Sequence, residues 1–310
     1  MKSFVDNWGM FLLMKDFMKL LGGAKGLKAF MQHENYRLAV AVQSALECGA
    51  NCRRPPNDVV SLLFRIARHK GILKESYGGA ECRVEQVPEP NAPPPHVMEE
   101  YFQMIDEVVI DKMCEYVMKP PTGVVSEEEA LAYYQALMSA PFYVAFRKAV
   151  YDRLAKLYRY RRILDIGAGT QDPLDMLDVC QQHGSECELA ALEVDPRICN
   201  DLEKLATKRG FEVVCGWGRV SGRYDIAVVQ NVLHWTTNPL QVLLDARRRA
   251  DRLFVSQGVI EGAGIGFVLV KILYANQPLS WKEVEAFTKQ AGWRLARRYA
   301  KYPNYLALFK

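Results

Sequence analysis

The sequence predicts an α/β protein, a doubly wound Rossmann-like sheet preceded by a mainly helical, winged-helix-like N-terminal domain. Three observations lead there. The stretch Arg161 to Thr170, RRILDIGAGT, is an apolar run that ends in Asp165, Gly167 and Gly169 and then passes into a helical pattern. A second apolar run, Leu189 to Leu192, ends in Glu193, 26 positions past Gly167. Runs of the same character recur at 212–215, 225–230 and 252–257, with helical spacing between them. Short apolar runs bounded by glycine read as buried parallel strands, and their alternation with helices reads as a doubly wound sheet.

The first of these strands carries the chemistry. Glycines at a strand end let a ligand lie against bare backbone beside a helix N-terminus. A carboxylate at the end of the next strand accepts both hydroxyls of a ribose, so Glu193 makes adenosine the expected ligand. In the dinucleotide pattern G-x-G-x-x-G the third glycine admits a pyrophosphate, and here that position is Asp172. An acid there repels a pyrophosphate. A ligand with positive charge instead tolerates Asp165 and Asp172.

LDIGAGT (164–170), ALEVDP (191–196) and YDIAVVQNVLHW (224–235) stand in the order in which class I S-adenosylmethionine-dependent methyltransferases carry their motifs, and the chain resembles that family. With NPL after QNVLHW, AGWRLARRY near the C-terminus and an added N-terminal helical region, it looks more narrowly like the two-domain small-molecule O-methyltransferases. The resemblance implies S-adenosylmethionine as cofactor, a small-molecule acceptor, a reversed final hairpin, and an N-terminal module that dimerises and covers the substrate. Gln171 departs from the pattern, standing where the family's glycine-rich loop usually has its third glycine.

Ligands of open α/β sheets bind beyond the carboxyl ends of the strands. The residues expected around the donor are therefore Asp165, Gly167, Gly169 and Gln171 after the first strand, Glu193 and Val194 after the second, Gly216 and Trp217 after the third, and Gln230 and Asn231 after the fourth. Trp217 either covers an adenine face or packs in the core. His234 follows the fourth strand, and an imidazole of ordinary pKa ~6.5 is a suitable base for an acceptor hydroxyl at neutral pH. In the resembled O-methyltransferases a histidine at this NVLH position is the base, commonly followed by aspartate where this chain has Trp235. The other role open to His234 is structural, an imidazole capping the turn. Tyr134, Phe142 and Trp235 suit an apolar or aromatic acceptor, and YQALM (134–138) resembles a family motif with Met138 in its methionine position. Core packing accounts for the same side chains.

The chain is expected to divide into a winged-helix-like dimerisation module (1–96), a helical linker and substrate-covering region (97–158) and the donor-binding domain (159–310). VPEPNAPPPHV (87–97) marks the first boundary, because its five prolines suit neither helix nor sheet interior. Asn57 is placed to cap a helix running to His69, and ILKESYGGAECRVE to form two short strands around Gly78 and Gly79. Helical spacing extends over 97–118 and again over 126–158, the latter opened by Ser126 and Glu129 as a capping box. Phe11, Met14, Met18 and Leu21 recur at helical spacing, the face of an amphipathic helix.

A net charge of +4 spread over 310 residues gives no massed basic surface, so nucleic acid is not an expected partner. Arg247 to Arg249 read as a solvated helix face. The apolar patch Met10 to Met14 is interrupted by Lys15, Asp16 and Lys19, too soon for a membrane span or a signal peptide. Eight cysteines without an export signal suggest a cytoplasmic protein with mostly buried thiols. Cys48 and Cys52, one helical turn apart, leave open a mutual bridge or a metal, and no metal site is expected. The alternatives in function are a degenerate methyltransferase fold that binds DNA or a ligand as a regulator, and methylation of RNA or protein.

Overall fold

The computed structural model describes residues 8–75, 82–273, 275 and 277–310, the side chain of Met14 excepted. The chain divides into two compact units. A sheet unit holds the described residues of Met1–Phe17, Tyr143–Gly262 and Asn276–Lys310; a helical unit holds those of Met18–Phe142 and Ala263–Ala275.

Helix α1 (Trp8–Leu20) turns Gly9 and Leu13 inward and leaves Phe11 and Leu12 exposed. The stripe expected through Phe11 is therefore rotated. Its cause is Gly9, which lies so close to Tyr299 that an added Cβ would stand 2.7 Å from the Tyr299 Cβ. In the helical unit α2 (Ala24–Glu47) buries Leu38, Ala41, Val42 and Ala45, and α3 (Asp58–His69) buries Val59, Val60, Leu63, Phe64 and Ile66. Asn57 caps α3 as its residue type suggests, accepting the Val59 and Val60 N–H groups at 3.1 Å. β1 (Leu73–Glu75) and β2 (Cys82–Val84) then pair antiparallel. The turn expected at Gly78 and Gly79 lies outside the described residues.

Both long helical stretches are broken. The first gives α4 (Glu99–Ile105), a π turn (Asp106–Ile110) and α5 (Met113–Met118). The second gives α6 (Glu127–Ser139), with the Ser126–Glu129 capping box in place, and α7 (Pro141–Ala149), followed by a π turn, Val150–Ala155. Pro141 causes the second break. Its ring drives Ala140 into extended backbone, φ −58° and ψ 135°, and Pro141 then starts a new helix. Lys156, at φ 53°, ends the segment.

The sheet unit is built from β3 (Arg162–Ile166), α8 (Asp172–Gln182), β4 (Glu188–Glu193), α9 (Pro196–Arg209), β5 (Glu212–Cys215), β6 (Ile226–Gln230), α10 (Pro239–Arg249) and β7 (Leu253–Gly258), closed by α12 (Trp281–Gln290), β8 (Leu295–Ala300) and β9 (Asn304–Phe309). The apolar segment Ile265–Ile272 forms α11, which belongs to the helical unit. Strand order is β5-β4-β3-β6-β7-β9-β8, parallel through β7 and reversed at β9, the final hairpin that the resemblance implies. One face of the sheet presents Leu164, Ile166, Leu192, Val229, Val255 and Phe309 to a core shared with Leu243 and Val284. Because side chains alternate along a strand, Asp165 points to the other face. Arg247 and Arg249 are not simply solvated: their guanidinium groups lie 4.9 Å and 5.4 Å from the Trp293 and Trp217 ring centres.

The cysteines overturn the expectation of free thiols. Cys48 bonds to Cys114, Cys52 to Cys82, Cys180 to Cys187 and Cys199 to Cys215. Cys48 and Cys52 thus neither bridge each other nor hold a metal between them. Cys48–Cys114 spans 66 residues, a long loop whose closure restricts the unfolded chain. Replacing Cys48 and Cys114 by alanine together should lower the free energy of unfolding by roughly 2–4 kcal/mol. Denaturant titration of the oxidised protein checks this, and an unchanged midpoint would contradict it.

Candidate functional site

The carboxyl ends of β3, β4 and β5 are drawn together at one residue pair, Leu192 and Glu193. Gly167 and Ala168 donate their N–H groups to the Leu192 carbonyl at 2.8 and 3.1 Å, and Gly216 donates to the Glu193 carbonyl at 2.8 Å. The Glu193 carboxylate accepts Gly169 N–H at 3.1 Å, Val194 N–H at 2.7 Å and Asp195 N–H at 3.1 Å. Glu193 is therefore both the acid at the rim and the clasp of the glycine turn. The Cys199–Cys215 bond ties α9 to the end of β5 beside this residue pair, with Cys199 Sγ 3.7 Å from the Glu193 carbonyl.

Gly167 is needed where it stands. Its φ is 67°, and a Cβ would meet a Val232 methyl at 2.7 Å. Two residues before it Asp165 is fully buried, and neither of its carboxylate oxygens has a hydrogen-bond partner. Burial, with the neighbouring charges of Asp172, Glu193 and Asp175, holds the Asp165 carboxyl well above the usual carboxylate range. A buried acid left so is costly unless something meets it.

Asp172 and Asp175 open α8, and both meet Arg147, a wholly buried arginine of α7. Arg147 Nε lies 2.7 Å from Asp172 Oδ1, and Nη2 lies 2.8 Å from Asp175 Oδ2. Its guanidinium stacks 4.6 Å from the centre of the Tyr143 ring. Gln171, at the position of the missing glycine, donates to Asp175 at 3.1 Å. Burial still outweighs the guanidinium at Asp172, whose carboxyl is pushed up to about 7. Tyr143, Arg147 and Tyr151 recur every four residues. A charged residue on that otherwise aromatic stripe is the signal that sequence motifs alone overlooked.

Beyond β6, Asn231 holds φ 53° and brackets three elements. Its backbone N–H donates to the Ser256 carbonyl at 2.7 Å, its Oδ1 accepts Gly258 N–H at 2.6 Å, and its amide donates to the Tyr143 hydroxyl. Gln230 is buried beside that hydroxyl. His234 is buried in the following turn, where its carbonyl accepts Gln277 N–H at 3.2 Å. Leu233 N–H donates to Gln257 Oε1 at 3.0 Å, which fixes that amide so that Gln257 Nε2 donates to His234 Nδ1. The ring proton then resides on Nε2, and desolvation pulls the imidazolium down to about 3. Trp217 packs partly buried against the core after Gly216, Val194 is exposed, and Trp235 lies 5.3 Å ring to ring from His234. Tyr134 and Met138 share one half-buried face of α6, and Phe142 meets Tyr101 edge-on at 5.3 Å; these three belong to the helical unit.

Solved structures share this architecture. The CMeT domain of the citrinin polyketide synthase superposes with a TM-score of 0.60 over 95% of this chain and 93% of its own, at 13% identity. The fold is that of class I methyltransferases. The DszA carbon methyltransferase superposes on the same class I frame with a TM-score of 0.55 over 94% of this chain and 92% of its own, at 14% identity. No protein-family model and no curated protein sequence matches the chain. Among the described residues no helix is long and apolar enough to cross a membrane.

Arg147→Met should destabilise the protein by roughly 3–5 kcal/mol at neutral pH, because it strands two buried carboxylates. The sign of its pH dependence follows from Asp172. A folded carboxyl already raised to about 7 stays protonated at pH 5, so the loss should be smaller at pH 5 than at pH 8. Denaturation of both proteins at the two pH values tests this; an equal or larger loss at pH 5 would contradict it.

Proposed function

We propose that the chain is an S-adenosylmethionine-dependent methyltransferase acting on a hydroxyl of a small apolar or aromatic molecule. The observation that carries this reading is Asp165, a buried carboxylate with two unpartnered oxygens at the foot of a bare glycine turn, with Glu193 at its rim. That donor set suits an adenosine bearing a cationic amino-acid tail, and it repels a pyrophosphate. When bound, the donor supplies a methyl carbon already activated on a sulfonium, so the protein has mainly to align the acceptor.

In this reading Asp165 meets the ammonium of the tail, and Glu193 accepts the ribose hydroxyls with the lone pairs its backbone donors leave. Gly167, Gly169, Gln171, Val194 and Gly216 form the cradle, Trp217 covers the adenine, and Gln230 and Asn231 fix the end of β6. Trp235, beyond β6, is the acceptor contact of the sheet unit. The helical unit carries the winged-helix-like dimerisation module. Exposed Phe11 and Leu12 favour a homodimer. The four disulfides favour an oxidising compartment, or the cytoplasm of a hyperthermophile, over an ordinary reducing cytoplasm.

His234 takes the structural of its two roles. With Nδ1 occupied and the imidazolium depressed to about 3, it offers an N–H rather than a site for a proton. The acceptor hydroxyl is then one acidic enough to ionise without it, a phenol or enol. His234→Ala should lower the transfer rate less than ~10-fold and leave no histidine inflection in the pH profile. A loss of ~10² or more that shrinks at high pH would restore the base.

Calorimetry tests the donor itself. S-Adenosylhomocysteine should bind and NAD should not. Glu193→Ala should weaken binding by ~1.5–3 kcal/mol, the scale of hydrogen bonds to a charged group. Tight NAD binding without S-adenosylhomocysteine binding would overturn the assignment.

A further inference from the structure

The donor corner is short of positive charge. Four carboxylates converge on it: Asp165 from β3, Glu193 from β4, and Asp172 and Asp175 from α8. Asp172 and Asp175 share the Arg147 guanidinium. Lys148 stands 4.0 Å from Asp175 on its outer side and pairs at 2.6 Å with Asp178. Glu193 is held by backbone N–H groups. Tyr143 and Tyr151, which also face the cluster, stay neutral because burial raises both. Asp165 is left fully buried with two unpartnered oxygens.

We propose that capture of the methyl donor is proton-coupled: the ammonium of its amino-acid tail displaces a proton held by the buried acids Asp165 and Asp172, so donor affinity depends on pH whereas affinity for an uncharged adenosine analogue does not. This rests on the reading of the corner as a methyl-donor site. In the free protein the buried acids cannot all be ionised around one guanidinium, and a proton occupies the place that the ammonium later fills. No covalent bond changes. The proton leaves to solvent, and the cation takes over its charge.

The pH window follows from the acids. Asp172 is pushed up to about 7 in the free protein and Asp165 well above its usual range. An ammonium beside them lowers both. Affinity therefore rises with pH between the bound and free values and levels off once the free protein has already lost the proton. This is the direction expected when the bound state holds fewer protons than the free state.

The test compares S-adenosylhomocysteine, which keeps the ammonium, with 5′-methylthioadenosine, which lacks the whole tail, by calorimetry from pH 5.5 to 8 in buffers of different ionisation enthalpy. The homocysteine compound should release a proton on binding, up to one per site, with affinity rising by up to about tenfold per pH unit on the acid side of the window. The thioadenosine compound should release none. Asp165→Asn, which keeps the shape of the side chain, should reduce proton release and flatten the profile; if that variant does not fold, Asp172→Asn is measured instead, with the same expectation. Binding of S-adenosylhomocysteine without proton release, or with the same pH profile as methylthioadenosine, overturns proton coupling and leaves the donor assignment standing. Failure of both nucleosides to bind at any pH overturns the donor assignment, and proton coupling with it.

Discussion

The buried contact of Arg147 with Asp172 and Asp175 is the constraint on which the proposed donor corner depends. It fixes the first turn of α8, and so the direction in which the chain leaves the glycine turn after β3. A glycine at position 172 would leave that turn open. The aspartate instead fills it and needs a counter-charge, which α7 supplies from a fully buried position with Tyr143 stacked beneath it. Buried ion pairs rarely add net stability, since desolvation cancels most of the attraction. Their effect here is positional. One wrongly ionised or missing partner leaves a charge in the core, so the geometry of the turn and the protonation of its acids are coupled.

Glu193 plays the complementary part on the other side of the corner. Three backbone N–H groups converge on its carboxylate, and its carbonyl accepts Gly216 from the next loop. The ends of β3, β4 and β5 thus share one residue, reinforced by Cys199–Cys215. A side chain that organises the loops and, in the proposed reading, also faces the ligand makes binding and loop order inseparable there. Substitution there reports on both.

Much of this was legible in the sequence. The strands were readable because each is a short apolar run ending in glycine or acid, and the helix starts at Asn57 and Ser126 because capping residues satisfy backbone donors locally. The helices of 97–158 were read as too continuous. Apolar spacing persists across a break, and only Pro141 and the left-handed Lys156 mark where the backbone turns. The inward face of α1 is set by contact of Gly9 with Tyr299, 290 residues away, which no local periodicity encodes. Cysteine pairing has the same character: Cys48 lies beside Cys52 in sequence and beside Cys114 in space. At the site, glycines and acids were readable as a motif. The protonation of His234 was not, because it depends on how Leu233 orients Gln257.

The central claim is that the corner between Asp165, Gly167 and Glu193 receives a methyl donor. A crystal structure of the protein grown with S-adenosylhomocysteine addresses it most directly. The account predicts the amino nitrogen of the homocysteine tail within about 3 Å of an Asp165 carboxylate oxygen. It also predicts the ribose hydroxyls on Glu193, with Arg147 still between Asp172 and Asp175. Density for the nucleoside elsewhere on the protein, or an Asp165 that remains unpartnered with the ligand bound, would contradict it.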